Sequence, residues 1–267
     1  MITALDKAAA IMRRDLLIAI RYRTGFLITL AGASAELAAF YFLARAIGPA
    51  FRPDGVDYFP FVLVGTGFYT FMVMGINSFL TIVQEAQQTG TLEVLMTTPT
   101  QPALLVLLSA LSAFTANVVQ LVCYLGGGLL LSQTVLPQAN LVGCAIVGLL
   151  SLAIAMAIGL FAAAVQLSIQ RGSAVVWILG SGLWFLTGAL FPVATLPRPL
   201  QIISALLPVT HSLTGLRLAI LQGGSPSALS HEVAILVLFS AFLLPLALLT
   251  FSFTLRRARR EGTLSFY

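Results

Sequence analysis

The side chains able to act as base, nucleophile or metal ligand are few in this chain, and their spacing is wrong for the common reactions. His211 and His231 are the only histidines and stand twenty positions apart with no HExxH pattern, which excludes the usual zinc hydrolase arrangement. Cys123 and Cys144 lie in apolar surroundings without a second pair or a nearby histidine. They read as small buried hydrophobes rather than a disulfide or a metal site. No G-x-S-x-G elbow is present, so a serine nucleophile of that type is absent. Lys7 is the only lysine and sits outside any glycine-rich loop. A P-loop needs a lysine behind its glycines to reach the phosphates, so the chain cannot be its own P-loop ATPase.

One ionisable group stands out by place rather than by motif. Glu36 lies in the middle of a long apolar run, where a carboxylate is unfavourable unless it faces a protein interior, a water-filled cavity or a partner. It is either a residue of a substrate path or subunit interface, or a protonated or hydrogen-bonded structural glutamate. Asn77, Asn117 and Gln120 are the other polar groups placed to share such a path or interface, with interhelical hydrogen bonding as the plainer role. A membrane-embedded enzyme using Glu36 or His211 has no visible second catalytic group to support it.

The elements that must position these groups are membrane helices. Of 267 residues 59% are hydrophobic and 9% charged, against about 25% charged in a soluble domain. Between Glu93 and Arg171 there is no charged residue at all. Windows of about 20 apolar residues, the length needed to cross a bilayer, recur along the chain. Residues 1–24 are expected to form an amphipathic interface helix. Ile2, Leu5, Ala9, Met12, Leu16 and Ile20 fall on one face and Lys7, Arg14 and Arg21 on the other, with charges running too far through it for a cleaved signal peptide.

Residues 25–267 are expected to form one all-α unit of six spans, over 25–47, 59–83, 103–131, 141–168, 174–190 and 233–255. Gly126-Gly127-Gly128 and Gly180-Ser181-Gly182 suit close helix packing. Residues 191–224, cut by Pro192, Pro197, Pro199 and Pro208, give apolar pieces too short to cross and read as a re-entrant hairpin. Lys7, Arg13, Arg14, Arg21, Arg23, Arg171 and the four C-terminal arginines lie on one side, against Arg45, Arg52, Arg198 and Arg217 on the other. Positive residues favour the cytoplasm, which puts both termini inside and residues 191–224 outside. Basic tails beside a membrane touch anionic lipid, so nucleic acid is not an expected partner.

The polar stretch Gln84–Thr100, QEAQQTGTLEVLMTTPT, interrupts the second and third spans on the cytoplasmic side. It reads as a short helix over 84–98, broken at Gly90, restarted at Thr91, and closed by Thr98-Pro99, since the residue before a proline is pushed out of the α region. A partner that moves such a helix can move both neighbouring spans. The stretch carries Glu85 and Glu93 and no Lys or Arg, which suits a protein partner rather than lipid.

Taken in order, Glu85, Gly90, Thr91, Leu92, Glu93, Leu95, Thr98 and Pro99, followed by Phe191-Pro192, Leu196-Pro197, Pro208-Val209-Thr210-His211 and Arg217, resemble the type-2 ABC transporter permeases over nearly the whole length. Gln87-Gln88 departs from the family pattern, in which a basic residue is frequent. The resemblance implies a permease subunit of the bacterial inner membrane that binds no cofactor itself. ATP and magnesium would sit on separate cytoplasmic ATPase subunits, a second permease copy would complete the pore, and 84–98 would be the coupling helix. The hairpin with Pro192, Pro197, Pro208 and Arg217 would be an external gate. It also implies export of a drug, lipid or glycan-type substrate. A membrane scaffold that binds a cytoplasmic partner through the same helix is the competing function.

Overall fold

The computed structural model describes residues 23–91, 102–132, 139–169 and 172–261, and among them helix is the only regular structure. The long helices are α1 (Arg23–Ile47), α2 (Tyr58–Gln88), α3 (Pro102–Ser132), α4 (Leu141–Ile169) and α8 (Pro226–Glu261). Between the last two, α5 (Gly172–Trp177) runs into a π turn over Ile178–Gly182, and α6 (Arg198–Ala205) and α7 (Pro208–Leu221) follow. Near-continuous apolar sequence makes these helices, because a backbone in hydrocarbon must satisfy its hydrogen bonds within its own segment. Tyr58–Gln88, Leu141–Ser168 and Pro226–Glu261 are each long and apolar enough to cross a membrane, and α6 with α7, bent by 85°, supplies a fourth such unit if taken together. With 25 and 31 residues, α1 and α3 reach about 37 and 46 Å.

Side-chain contacts fix how these helices run. Gln84 near the end of α2 meets Gln166 near the end of α4, and Gly143 at the start of α4 lies against Leu229 at the start of α8. These three helices are therefore parallel. Tyr41 of α1 stacks edge-on to Phe59 at 5.5 Å, and Gly128 of α3 lies against Leu63, so α1 and α3 run the opposite way. One end of the bundle thus gathers Ile47, Tyr58, Ser132, Leu141 and Pro226. The other gathers Arg23, Gln88, Pro102, Ile169 and Glu261.

Of the three helices Tyr58–Gln88, Leu141–Ser168 and Pro226–Glu261, α2 is the most deeply placed, with 83% of its apolar window buried, whereas α8 has 11%. Leu238, Phe242, Leu249 and Phe253 of α8 are between 66% and 73% exposed, a face that water would not tolerate and lipid would. Inside, Phe114 of α3 inserts between Phe71 and Phe79 at 5.8 and 6.2 Å. It fits because Gly75 has no side chain where a Cβ would come within 1.9 Å of that ring.

Three expectations need correction. The fifth span over 174–190 is not one helix. Helical winding stops at Gly182, the chain turns from Leu183, and Gly188 takes φ +78°, a left-handed position that glycine adopts without penalty. The helical part of 172–182 is about 16 Å long, half a bilayer. The last helix starts at Pro226 rather than near Val233, because proline fits the first helical position; this puts Glu232 inside its second turn. The second helix continues through Gln88 instead of ending at Val83, so Gln84–Gln88 belong to the long helix and not to a separate short one.

Candidate functional site

At the Gln88 end of the bundle, α2 stops because Thr89 and Gly90 close it. The Thr89 amide donates to the Glu85 carbonyl at 2.9 Å, its hydroxyl donates to the same carbonyl at 2.7 Å, and Gly90 turns the chain at φ +67°. Thr91 is helical again and its hydroxyl lies 2.9 Å from that of Thr89. Glu85 and Gln88 are exposed, while Gln87 is 2% exposed. Gln87 accepts from the Gln166 amide, and Gln166 accepts from Gln84, each at 3.4 Å. This amide chain ties the end of α2 to the end of α4. Leu92, Glu93, Leu95 and Pro99 lie outside the described residues.

Toward the other end, α1, α2 and α3 enclose a cavity of about 240 Å³ lined by Glu36, Thr70, Phe71, Asn117, Gln120 and Tyr124 among others. Asn117, Gln120, Leu121 and Tyr124 repeat at spacings of three and four, so one face of α3 supplies them all. The cavity therefore unites Glu36, Asn117 and Gln120. It does not include Asn77, which is exposed elsewhere on α2. Tyr124 interacts with Glu36 and lies 3.1 Å from the Thr66 hydroxyl, which in turn donates to the Val62 carbonyl at 2.8 Å.

The bent segment is held by Arg217. Its Nη1 donates to Gly188 O and its Nη2 to Ala189 O, both at 2.8 Å, and Nη2 and Nε donate to Phe61 O at 3.1 and 3.3 Å. The guanidinium carbon sits 3.5 Å over the Phe61 ring centroid, a cation–π contact in dry surroundings. Gly65 makes room, since a Cβ there would lie 2.1 Å from Nη2 and 2.2 Å from Ala189 O. Among the described residues no carboxylate forms an ion pair with Arg217; its charge is met by carbonyl dipoles, which the fixed fork of donors suits. Pro192 precedes the 3₁₀ turn Val193–Thr195, Pro197 precedes α6, and Pro208 opens α7, so each proline starts a new turn with φ already set.

A second latch joins α6, α7 and α8. His211 Nδ1 lies 2.7 Å from Glu232 Oε2 and its Nε2 lies 2.9 Å from Ala205 O. Both partners only accept, so both ring nitrogens donate when the imidazole is protonated. The hydrogen bond to Glu232 raises the His211 pKa from 6.5; burial opposes this, and the Ala205 carbonyl and the Glu232 charge add to it. A raised value means stabilisation that is complete below pH 6.5 and is lost as pH rises through the folded-state value. Wild type should therefore exceed Glu232→Gln by about 2 kcal/mol at mildly acid pH, with the gap closing as pH rises. Melting curves of the two proteins across pH check this; parallel curves would show that the latch does not titrate.

Pro208, His211 and Arg217 all fall in α7, within the proline-cut segment, but sequence reading missed Glu232 as the partner of His211 and Gln166 as the partner of Gln84 and Gln87. No periodicity links residues 21 or 79 positions apart. The available signal was a carboxylate and an amide at the ends of otherwise apolar helices.

Residues 49–249 match the family described as ABC-2 family transporter protein. Among curated proteins none is similar enough to count as a relative. The match covers the break after α2, both latches, and two of the three helices around the cavity. The chain thus belongs to the ABC-2 family of transporter proteins, as a membrane subunit of an ABC transporter that is not itself catalytic.

Proposed function

We propose that the chain is the permease of an ATP-driven exporter, worked through the turn that follows α2. The observation that carries this is the break at Gly90 between two long helices, α2 and α3, in a family of transport subunits that are not catalytic themselves. The end of α2 from Gln84, the turn at Gly90 and the segment up to residue 98 act together as the coupling element, and Glu85, Gly90, Thr91, Leu92, Glu93, Leu95 and Pro99 form the docking surface or set its direction. The chain crosses the inner membrane six times, with the broken stretch 174–190 as the fifth crossing and 191–224 as the external re-entrant hairpin. The Gln88 end is cytoplasmic, which accords with Arg256, Arg257, Arg259 and Arg260 closing α8 there. Two copies form the pore, two ATPase subunits hold ATP and magnesium, and the hairpin with Pro192, Pro197, Pro208 and Arg217 is the external gate. Glu36, Asn117 and Gln120 line part of the cargo path.

Closure of the ATPase subunits would push the coupling helix. Because Gln84 and Gln87 are bonded to Gln166, that push would reach α4 together with α2. Glu93→Arg reverses the charge of the docking surface. The ATPase subunit that co-purifies with the permease should fall about tenfold, the effect of a single adverse charge at an interface. Equal recovery of the ATPase with wild type and Glu93→Arg would overturn the docking assignment.

A further inference from the structure

We propose that the recess beside Glu36 binds an ammonium headgroup carried on an apolar tail. Glu36 is the one charged side chain among its lining residues, and no Lys or Arg lines it. Phe71 and Tyr124 contribute aromatic rings to its lining, and Asn117 and Gln120 contribute amide groups. A carboxylate with aromatic rings and uncharged acceptors is the chemistry that selects an organic cation over an anion. At about 240 Å³ the recess is smaller than the roughly 300–1,000 Å³ typical of whole-ligand pockets, so it takes a headgroup. Leu43, two turns along the Glu36 face of α1, is 43% exposed and offers an apolar surface for a tail.

Glu36 interacts with Tyr124, and Tyr124 lies 3.1 Å from the Thr66 hydroxyl, which donates to the Val62 carbonyl. A cation in the recess meets a carboxyl group with no basic partner among the lining residues. Protonation of that carboxyl removes the charge that the cation needs, so binding favours the ionised form. From α1 only Glu36 and from α3 only Tyr124 among the lining groups can titrate, and α2 contributes none. Arg45 is directed at the Tyr41 ring, 5.7 Å away, and not into the recess.

That the headgroup belongs to cargo rests on the permease reading above; that it binds does not. The test uses the chain in phosphatidylglycerol nanodiscs, titrated with dodecyltrimethylammonium and with the same tail ending in an uncharged tert-butyl group. The cation should bind saturably and about tenfold more tightly than the neutral analogue. It should bind more tightly near pH 8 than near pH 5, and Glu36→Gln should lose about tenfold in affinity. Repeating the titration with phosphatidylethanolamine in the discs separates two sources of the headgroup. Competition identifies a lipid amine as the natural occupant, and its absence a free amphiphile. Equal binding of the neutral analogue, or pH-independent binding, would overturn the proposal in wild type, without reliance on any variant. Saturable cation binding in a chain that retains no ATPase subunit would instead sink the permease reading alone.

Discussion

Arg217→Ala is expected to lower the stability of the subunit by about 3–5 kcal/mol, the largest effect of any single substitution considered for this chain. The carbonyls of Phe61, Gly188 and Ala189 would lose their donors at once. Each unsatisfied buried acceptor costs about 1–3 kcal/mol. Replacing a buried ion pair by an apolar pair is sometimes neutral because both charges leave together. Here the acceptors are backbone groups that no substitution removes, so an apolar residue at position 217 gains nothing from that route. Arg217→Lys keeps the charge but not the planar fork, and should recover about half of the loss. Gly65→Ala reaches the same clamp from the other side, since its methyl would occupy the space of Nη2 and of Ala189 O. Melting of the purified subunit in detergent checks all three, with Arg217→Ala about 10 °C below wild type. A wild-type midpoint for Arg217→Ala would mean that the clamp does not hold the segment, and its role would have to be sought in gating alone.

How much of this arrangement could be read from the chain depends on the range of the interactions. Four long helices, α1 to α4, lie where the apolar runs put them, because length and hydropathy are local properties. Glu36, Asn117 and Gln120 were singled out as polar groups inside apolar helices, and the cavity brings all three together. Asn77, chosen by the same rule, lies on the Thr70 face of α2 about a turn beyond Met74 and is exposed outside the recess. The rule says that a polar group in a membrane helix needs company but not at what depth the neighbours lie.

The fifth span failed for a different reason. Residues 174–190 are apolar enough to cross, yet the glycines at 180, 182 and 188 favour turning. The chain turns there because Arg217, more than 25 positions onward, gathers the carbonyls of Gly188 and Ala189. Gln87 gives the same lesson at the Gln88 end of the bundle. Read as part of a docking surface, it is buried against Gln166, and of the two glutamines that depart from the family pattern only Gln88 is exposed to a partner.

The turn at Gly90, proposed above to aim the docking segment, gives the second large effect. Nothing lies within 4 Å of where a Cβ on Gly90 would stand, so substitutions there test the backbone alone. At φ +67° an ordinary L-residue is disfavoured by about 1–2 kcal/mol, and a β-branched one by more. Gly90→Val can relieve this only by leaving the left-handed region, which redirects the chain after Thr89 and moves the proposed docking segment relative to its partner. Restoring the docked geometry would require repaying that strain, so ATPase retention should fall about tenfold or more. Gly90→Asn, which tolerates the left-handed region far better, should keep most of it. Neither should shift the melting midpoint by more than a few degrees, because position 90 is open and makes no core contact. That separation of binding from stability distinguishes a direction-setting turn from a merely structural one: a Gly90→Val subunit that melts normally and still retains its ATPase would show that the turn does not aim the coupling helix.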